Sequence, residues 1–73
     1  PALHQARLNR AILLNSLNRH EEALADAETL RRALPDDPAV RQTSGAIYLA
    51  LGHLDAAAAD FDAVLARHPD DLK

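Results

Sequence analysis

Apolar residues recur along the chain at intervals of three and four positions. In the second half, Tyr48 and Leu51, and then Ala57, Phe61 and Val64, follow these steps. Such spacing places side chains on one face of an α-helix, whereas a half-buried strand alternates at every second residue. The pattern therefore predicts amphipathic helices that pack through one apolar face.

Residues typical of helix ends divide the chain into four helices. Asp37 can cap a helix that has Pro38 in its first turn. Gly52, and Asn18 in the first half, stand where a left-handed residue ends a helix, and Pro35 stops another. We predict helices over about residues 3–17, 21–33, 38–51 and 55–67.

The same signals occur twice, at a fixed spacing. The motif Pro-Asp-Asp occupies residues 35–37 and again residues 69–71, and a shift of 34 aligns eight identical pairs besides Pro1 with Pro35. We predict one segment over residues 1–73 with two units, about 4–37 and 38–71. Because Pro1 lies one such shift before Pro35, we interpret it as the end of a preceding unit, and expect the chain to be part of a longer repeat array.

Side-chain size predicts how the second pair of helices packs. Gly45 and Ala57 are small residues at positions where two facing helices can approach closely. Tyr48 and Phe61, the two aromatic residues, lie on the two helices of this unit. We expect both rings to fill the space beside the close contact.

The composition excludes several classes of protein. The chain has 16 Ala and 13 Leu against one Phe and one Tyr, which favours an all-α fold over strands. There is no Cys, so disulfides, thiolate metal sites and a Cys nucleophile are excluded. Eight basic and eleven acidic residues give a net charge of −3, which argues against nucleic acid or an anionic membrane as partner. No apolar run is long enough for a membrane span.

These residues resemble the tetratricopeptide repeat. The second unit matches the family pattern at Gly45, Tyr48, Gly52, Ala57, Phe61, Val64 and Pro69. The first unit matches it at Ala11, Leu14, Asn18, Ala23, Leu30 and Pro35. It departs from the pattern where Leu14 and Ala27 replace usual aromatics, and both units have Arg, at Arg7 and Arg41, where a large apolar residue is common. The resemblance implies an α-solenoid of antiparallel helix hairpins with a degenerate first unit.

The resemblance also implies a function. Members of the family are scaffolds that hold peptides or protein surfaces on a concave face, which the first helix of each unit lines. The concave face of this chain is then expected to carry the partner-binding residues Gln5, Leu8, Ile12, Asn15, Ser16, Gln42, Ala46, Leu49 and Ala50. We expect a protein or peptide partner and no enzyme activity.

One branch of the family grips a C-terminal carboxylate with Lys, Asn and Arg on these inner helices. The corresponding places here are Leu8 and Ile12 in the first unit, and Gln42 and Ala46 in the second. Because Leu8 and Ile12 cannot pair with a carboxylate and the second unit offers only Gln42 and Ala46, we expect an apolar segment with a few amide contacts as the ligand.

No cluster of residues predicts catalysis, a cofactor or a metal. The run His20-Glu21-Glu22 lacks the second His, four residues after the first, that a zinc helix needs, and His20 is expected to pack between helices. The charge is uneven, +1 over residues 1–34 and −4 over residues 35–73. We interpret the excess acids as an acidic edge formed by Asp55, Asp60, Asp62, Asp70 and Asp71, most simply a solvated outer face.

Two alternatives to a ligand-binding scaffold stay open at this point. The segment could be an architectural or self-assembly module, or it could dock substrates for an adjoining catalytic or membrane domain. Two units bury little surface, so we expect self-association through the end faces or stability only inside a longer protein. The use of Ala, Arg and Asp looks bacterial, and the sequence leaves the cellular compartment open.

Overall fold

The structure, a computed structural model, describes residues 2–67, with side chains over residues 3–66. It contains four helices, which are α1 (Ala2–Ser16), α2 (His20–Ala33), α3 (Pro38–Ala50) and α4 (Leu54–Arg67). Each predicted bound is confirmed to within one residue, and the all-α class is confirmed. Pro1 and the second Pro-Asp-Asp motif, residues 69–71, lie outside the described residues, as does His68.

The helices end as the local sequence predicts. Asn18 and Gly52 have positive φ angles of 65° and 81°. After α1 the backbone N–H of Arg19 donates to the carbonyl of Leu14, and after α3 the equivalent bond joins residues 53 and 48, both at 2.9 Å. Asp37 caps α3, since its carboxylate accepts hydrogen bonds from two backbone N–H groups of the first turn. The two hairpin turns are therefore built alike, at equivalent positions of the two units.

The helices form two hairpins packed side by side. Helix α1 packs against α2, α3 packs against α4, and the contact between α2 and α3 joins the hairpins, while α1 also touches α3. Three alanines and Ile47 form the buried cluster at this junction. Small side chains allow the helices of the first hairpin to approach closely, which gives a tetratricopeptide-like arrangement of antiparallel helix pairs.

The second hairpin closes around a glycine. A Cβ atom added to Gly45 would lie 3.0 Å from the ring of Phe61, which confirms the predicted close approach of α3 and α4. Tyr48 makes contacts that the sequence did not predict. Its ring stacks on His53 at a centroid distance of 6.0 Å, and its hydroxyl accepts a hydrogen bond from Arg31 of the first hairpin. Tyr48 thus connects the hairpins and the α3–α4 turn.

Asp60 of α4 is buried, with only 1% of its surface exposed. Its carboxylate accepts hydrogen bonds from the hydroxyl of Ser44 and, at 3.0 Å, from the guanidinium of Arg41. The expectation that Asp60 belongs to a solvated acidic edge is therefore wrong, whereas Asp55 and Asp62 are exposed. A carboxylate can be buried here because donors of α3 replace its water shell.

The Asp60 cluster, which consists of Arg31, Arg41, Ser44 and Asp60, connects three helices. Arg31 of α2 lies 3.7 Å from the carboxylate of Asp60. Arg41 of α3 also donates to the backbone carbonyl of Pro35, in the loop between the hairpins. The cluster thus holds α2, α3, α4 and that loop in one arrangement, and so fixes how the two hairpins are placed.

We predict that Asp60→Ala lowers the free energy of unfolding by about 3 kcal/mol, because it removes the buried carboxylate that balances the charges of two arginines and accepts from Ser44. Urea unfolding followed by circular dichroism measures this. The matched control is Asp26→Ala at the equivalent position of the first unit, where the partner Arg10 has 62% of its side chain exposed. The control should cost about 1 kcal/mol. Equal losses in the two variants would contradict the role of the Asp60 cluster.

Candidate functional site

The first helices of the two hairpins, α1 and α3, leave a groove between them. One pocket of this groove has a volume of about 190 Å³ and is lined by Ile12 and Asn15 of α1 and by Gln42, Thr43 and Ala46 of α3. Ile12 is 50% exposed, so its side chain is open to a partner. The pocket combines an aliphatic floor with two side-chain amides.

A second pocket follows one turn earlier along α1, where Leu8 precedes Ile12 by four residues. Its volume is about 260 Å³. It is lined by residues from three helices and the cap of α3, namely His4, Gln5, Leu8, Leu30, Leu34, Asp37, Ala39 and Val40. We call the two pockets together the inner groove.

The structure brings most of the predicted partner-binding residues together. Ile12, Asn15, Gln42 and Ala46 share the first pocket, and Gln5 and Leu8 line the second. The remaining three, Ser16, Leu49 and Ala50, are exposed toward the C-terminal ends of the two helices. Six of the nine residues therefore line the inner groove, and the binding role of all nine stays a prediction.

The amide of Asn15 is held in position by a residue of α2. Its Oδ1 atom lies 2.6 Å from Nδ1 of His20, the first residue of α2. His20 is half-buried, so it packs between helices as predicted and also orients a side chain of the inner groove. Gln5 forms a hydrogen bond within α1, donating to Asn9 at 3.1 Å.

The charge of the inner groove does not suit an anionic ligand. None of the residues that line its two pockets is Lys or Arg, and Asp37 contributes a carboxylate to the second pocket. In the same pocket, His4 carries a buried Nδ1 atom that has no hydrogen-bond partner within residues 2–67. The second pocket thus offers apolar walls and a carboxylate to a ligand, while the ring nitrogen of His4 is shielded from it.

Several lining residues were not predicted from the sequence. Thr43 belongs to the same stripe as Ala39, Gln42 and Ala46, and His4 lies four residues before Leu8. Helical spacing alone could have found both. Leu30 and Leu34 reach the second pocket from α2, which no pattern within α1 or α3 indicates.

Among the described residues, no group of three His, Cys, Asp or Glu side chains is placed to hold a metal ion. Within the same range, no helix is long and apolar enough to cross a membrane.

An ion pair stabilises α1 from the side away from the first pocket. Arg10 donates two hydrogen bonds, at 2.7 and 2.8 Å, to the carboxylate of Asp26 on α2. These hydrogen bonds hold the pKa of the Asp26 carboxyl below its ordinary value, and burial opposes them by raising it. The positive charges of Arg10 and Arg7 also lower this pKa. Asp26 therefore stabilises the hairpin in its ionised form.

This pKa shift predicts the pH dependence of stability. A carboxyl whose pKa is lowered on folding stabilises the fold above its unfolded pKa of about 3.9, and the contribution is lost as the pH falls through the lower folded value. The unfolding free energies of the wild type and Asp26→Asn should therefore differ by about 1 kcal/mol at pH 6 and converge as the pH falls through the lowered folded pKa of Asp26. Urea titrations across this range measure the difference, and a constant gap would contradict the assignment.

The fold and the inner groove define an all-α protein of tetratricopeptide-like helix hairpins. The chain is similar to the Hsp70-Hsp90 organizing protein of Triticum aestivum, a protein that contains such repeats, with 39% identity over 69 residues. The match covers 94% of this chain and 12% of the relative. No family model matches the chain, and no solved structure matches it. Since the relative is from wheat, it lends no support to the expectation of a bacterial origin.

Proposed function

We propose that this chain is a non-catalytic protein-interaction module, which holds an apolar peptide segment or an equivalent protein surface along the inner groove. The relative's name describes an organizer of two other proteins, and this supports an interaction role for the similar segment. We further propose that the segment comprises two repeats, about residues 4–37 and 38–71, of a longer array.

The first pocket is the observation that carries the proposal. Ile12 and Ala46 offer apolar surface to a ligand side chain, and both are exposed. Asn15 and Gln42 flank this surface with amides, which can donate to and accept from a peptide backbone at the same time. Apolar anchors beside amide groups are a suitable arrangement for an extended peptide.

The absence of cations among the lining residues determines which part of a peptide is bound. A terminal carboxylate is bound most strongly by Arg or Lys, whereas the second pocket contains the carboxylate of Asp37. The ligand is therefore an internal, uncharged stretch of chain.

The test uses random peptides displayed on phage and selected on the immobilised chain. Selected peptides should be rich in apolar residues, and a synthetic copy should perturb the amide NMR signals of Ile12, Asn15, Gln42 and Ala46. Ile12→Glu should weaken its binding at least about ten-fold, because a carboxylate would face the apolar side chain of the peptide.

Ala59→Glu is the matched control, since it adds the same charge at an exposed position of α4. It should leave the affinity unchanged. Amidation of the peptide's C-terminus should also have no effect, because the proposal excludes recognition of a terminal carboxylate. Signals that shift only outside the inner groove, or a loss of binding on amidation, would overturn the proposal.

A further inference from the structure

A pocket beside the junction of α2 and α3 contains three arginines. Its volume is about 310 Å³, and it is lined by Glu28, Arg31, Arg32, Pro35 and Arg41. We call it the arginine pocket, and it shares no residue with the inner groove. On α2, Glu28 and Arg32 each lie two positions from Leu30 of the inner groove, which turns their side chains about 160° away from it. The two sites therefore lie on opposite sides of α2.

Two of the three arginines are held in place by the fold. Arg41 donates from Nε to the carbonyl of Pro35 and from Nη1 to Asp60, both at 3.0 Å. Arg31 donates from Nη1 to the hydroxyl of Tyr48 at 3.2 Å. A guanidinium has five N–H donors, so both arginines keep donors that these bonds do not use. Because their side chains are already ordered, they lose little freedom when a ligand binds.

Arg32 differs from the other two arginines. Its side chain is exposed, and it forms no ion pair with any acidic side chain that the structure describes. Glu28 precedes it by four residues on the same helix, a spacing that permits an ion pair, yet the two are not paired. Arg32 can therefore turn toward a ligand in the pocket without breaking an ion pair of the fold.

The charges around the pocket leave one positive charge unbalanced. Three arginines face two carboxylates, which are Glu28 in the lining and the buried Asp60 beside Arg31 and Arg41. Asp36, in the adjoining loop, is exposed and does not line the pocket. One carboxylate balances this charge, and its two oxygens match the planar fork of a guanidinium. A phosphate monoester carries close to two negative charges at neutral pH, which Glu28 would repel more strongly.

We propose that the arginine pocket binds the side-chain carboxylate of an Asp or Glu residue of a protein partner, independently of the inner groove. Arg32 closes on the carboxylate, while Arg31 and Arg41 stay in the Asp60 cluster and donate with their remaining N–H groups. The ring of Pro35 offers an apolar contact to the methylene groups of the bound side chain. The chain then contacts partners on two sides, through apolar and amide groups in the inner groove and through arginines across α2.

An NMR titration with a capped peptide tests this proposal. The probe has four consecutive glutamates, an acetylated N-terminus and an amidated C-terminus, so that side chains supply its carboxylates. The Nε–H signals of Arg31, Arg32 and Arg41 should shift as the peptide is added, and the shifts should weaken as the salt concentration rises. The same peptide with four glutamines should cause no shift. Equal shifts with the glutamine peptide, or arginine signals that stay unchanged, would overturn the proposal.

Two substitutions that each remove one charge from α2 should have opposite effects. Arg32→Gln should weaken binding of the glutamate peptide about five-fold, because the pocket loses its unpaired cation. Glu28→Gln should strengthen binding about two-fold or more, because it removes a carboxylate that repels the ligand. Both side chains are exposed, so circular dichroism should show unchanged helices in both variants.

Arg19→Gln is the matched control for Arg32→Gln. It removes the same charge from an exposed side chain at the opposite end of α2, and it should bind the peptide like the wild type. Equal losses in the two variants would show a general attraction between the chain and acidic peptides, which overturns a specific pocket. A weakening of binding by Glu28→Gln would also overturn it.

Two further comparisons separate the arginine pocket from a phosphate site and from the inner groove. Replacing one glutamate of the peptide by phosphoserine should change the affinity by less than about three-fold. A larger gain would identify a phosphate site and overturn the proposal. Ile12→Ala alters the inner groove without changing its charge, and it should leave binding of the glutamate peptide unchanged. A loss in this variant would place the peptide in the inner groove and contradict an independent site.

Discussion

The buried carboxylate of Asp60 is the interaction on which the arrangement of the hairpins depends. It accepts hydrogen bonds from Ser44 and Arg41, and Arg31 lies beside it. A carboxylate that has lost its water is tolerated only where donors surround it, so the helices that supply these donors must stay in place. Because the two donors come from α3 and the neighbouring charge of Arg31 comes from α2, one side chain of α4 fixes the contact between the hairpins.

The inner groove is a consequence of that contact. When α2 packs against α3, the helices α1 and α3 are brought side by side, and their facing residues are left open to solvent. The groove therefore requires no residues that strain the backbone or bury charge. Its apolar and amide side chains can vary with the partner, while the Asp60 cluster keeps the helices that carry them in register.

The sequence predicts the helices well because their ends are determined locally. A capping Asp37, a left-handed Asn18 and a left-handed Gly52 act on their own neighbours, and the structure shows each in the expected role. Asp60 was wrongly predicted to be exposed. Its burial depends on Ser44 and Arg41, which lie 16 and 19 positions earlier in the chain. Helix periodicity shows which face a residue occupies and not what lies opposite that face.

The same limit applies to the candidate site. Spacing within α1 was enough to place Ile12 with Asn15, the resemblance to the repeat family indicated Gln42 and Ala46, and the structure brings the two pairs into one pocket. The second pocket was only partly predicted, because Leu30 and Leu34 reach it from α2. The orientation of Asn15 by His20 was also missed, since that contact crosses the turn between the helices.

Native-state hydrogen exchange, at a concentration at which the chain is monomeric, tests most directly whether the two hairpins are held as one unit. If the Asp60 cluster joins them, the slowest amides of α2 and of α4 should open with the same free energy, because neither hairpin can unfold alone. A first hairpin whose amides open at a clearly lower free energy than those of the second would contradict this account.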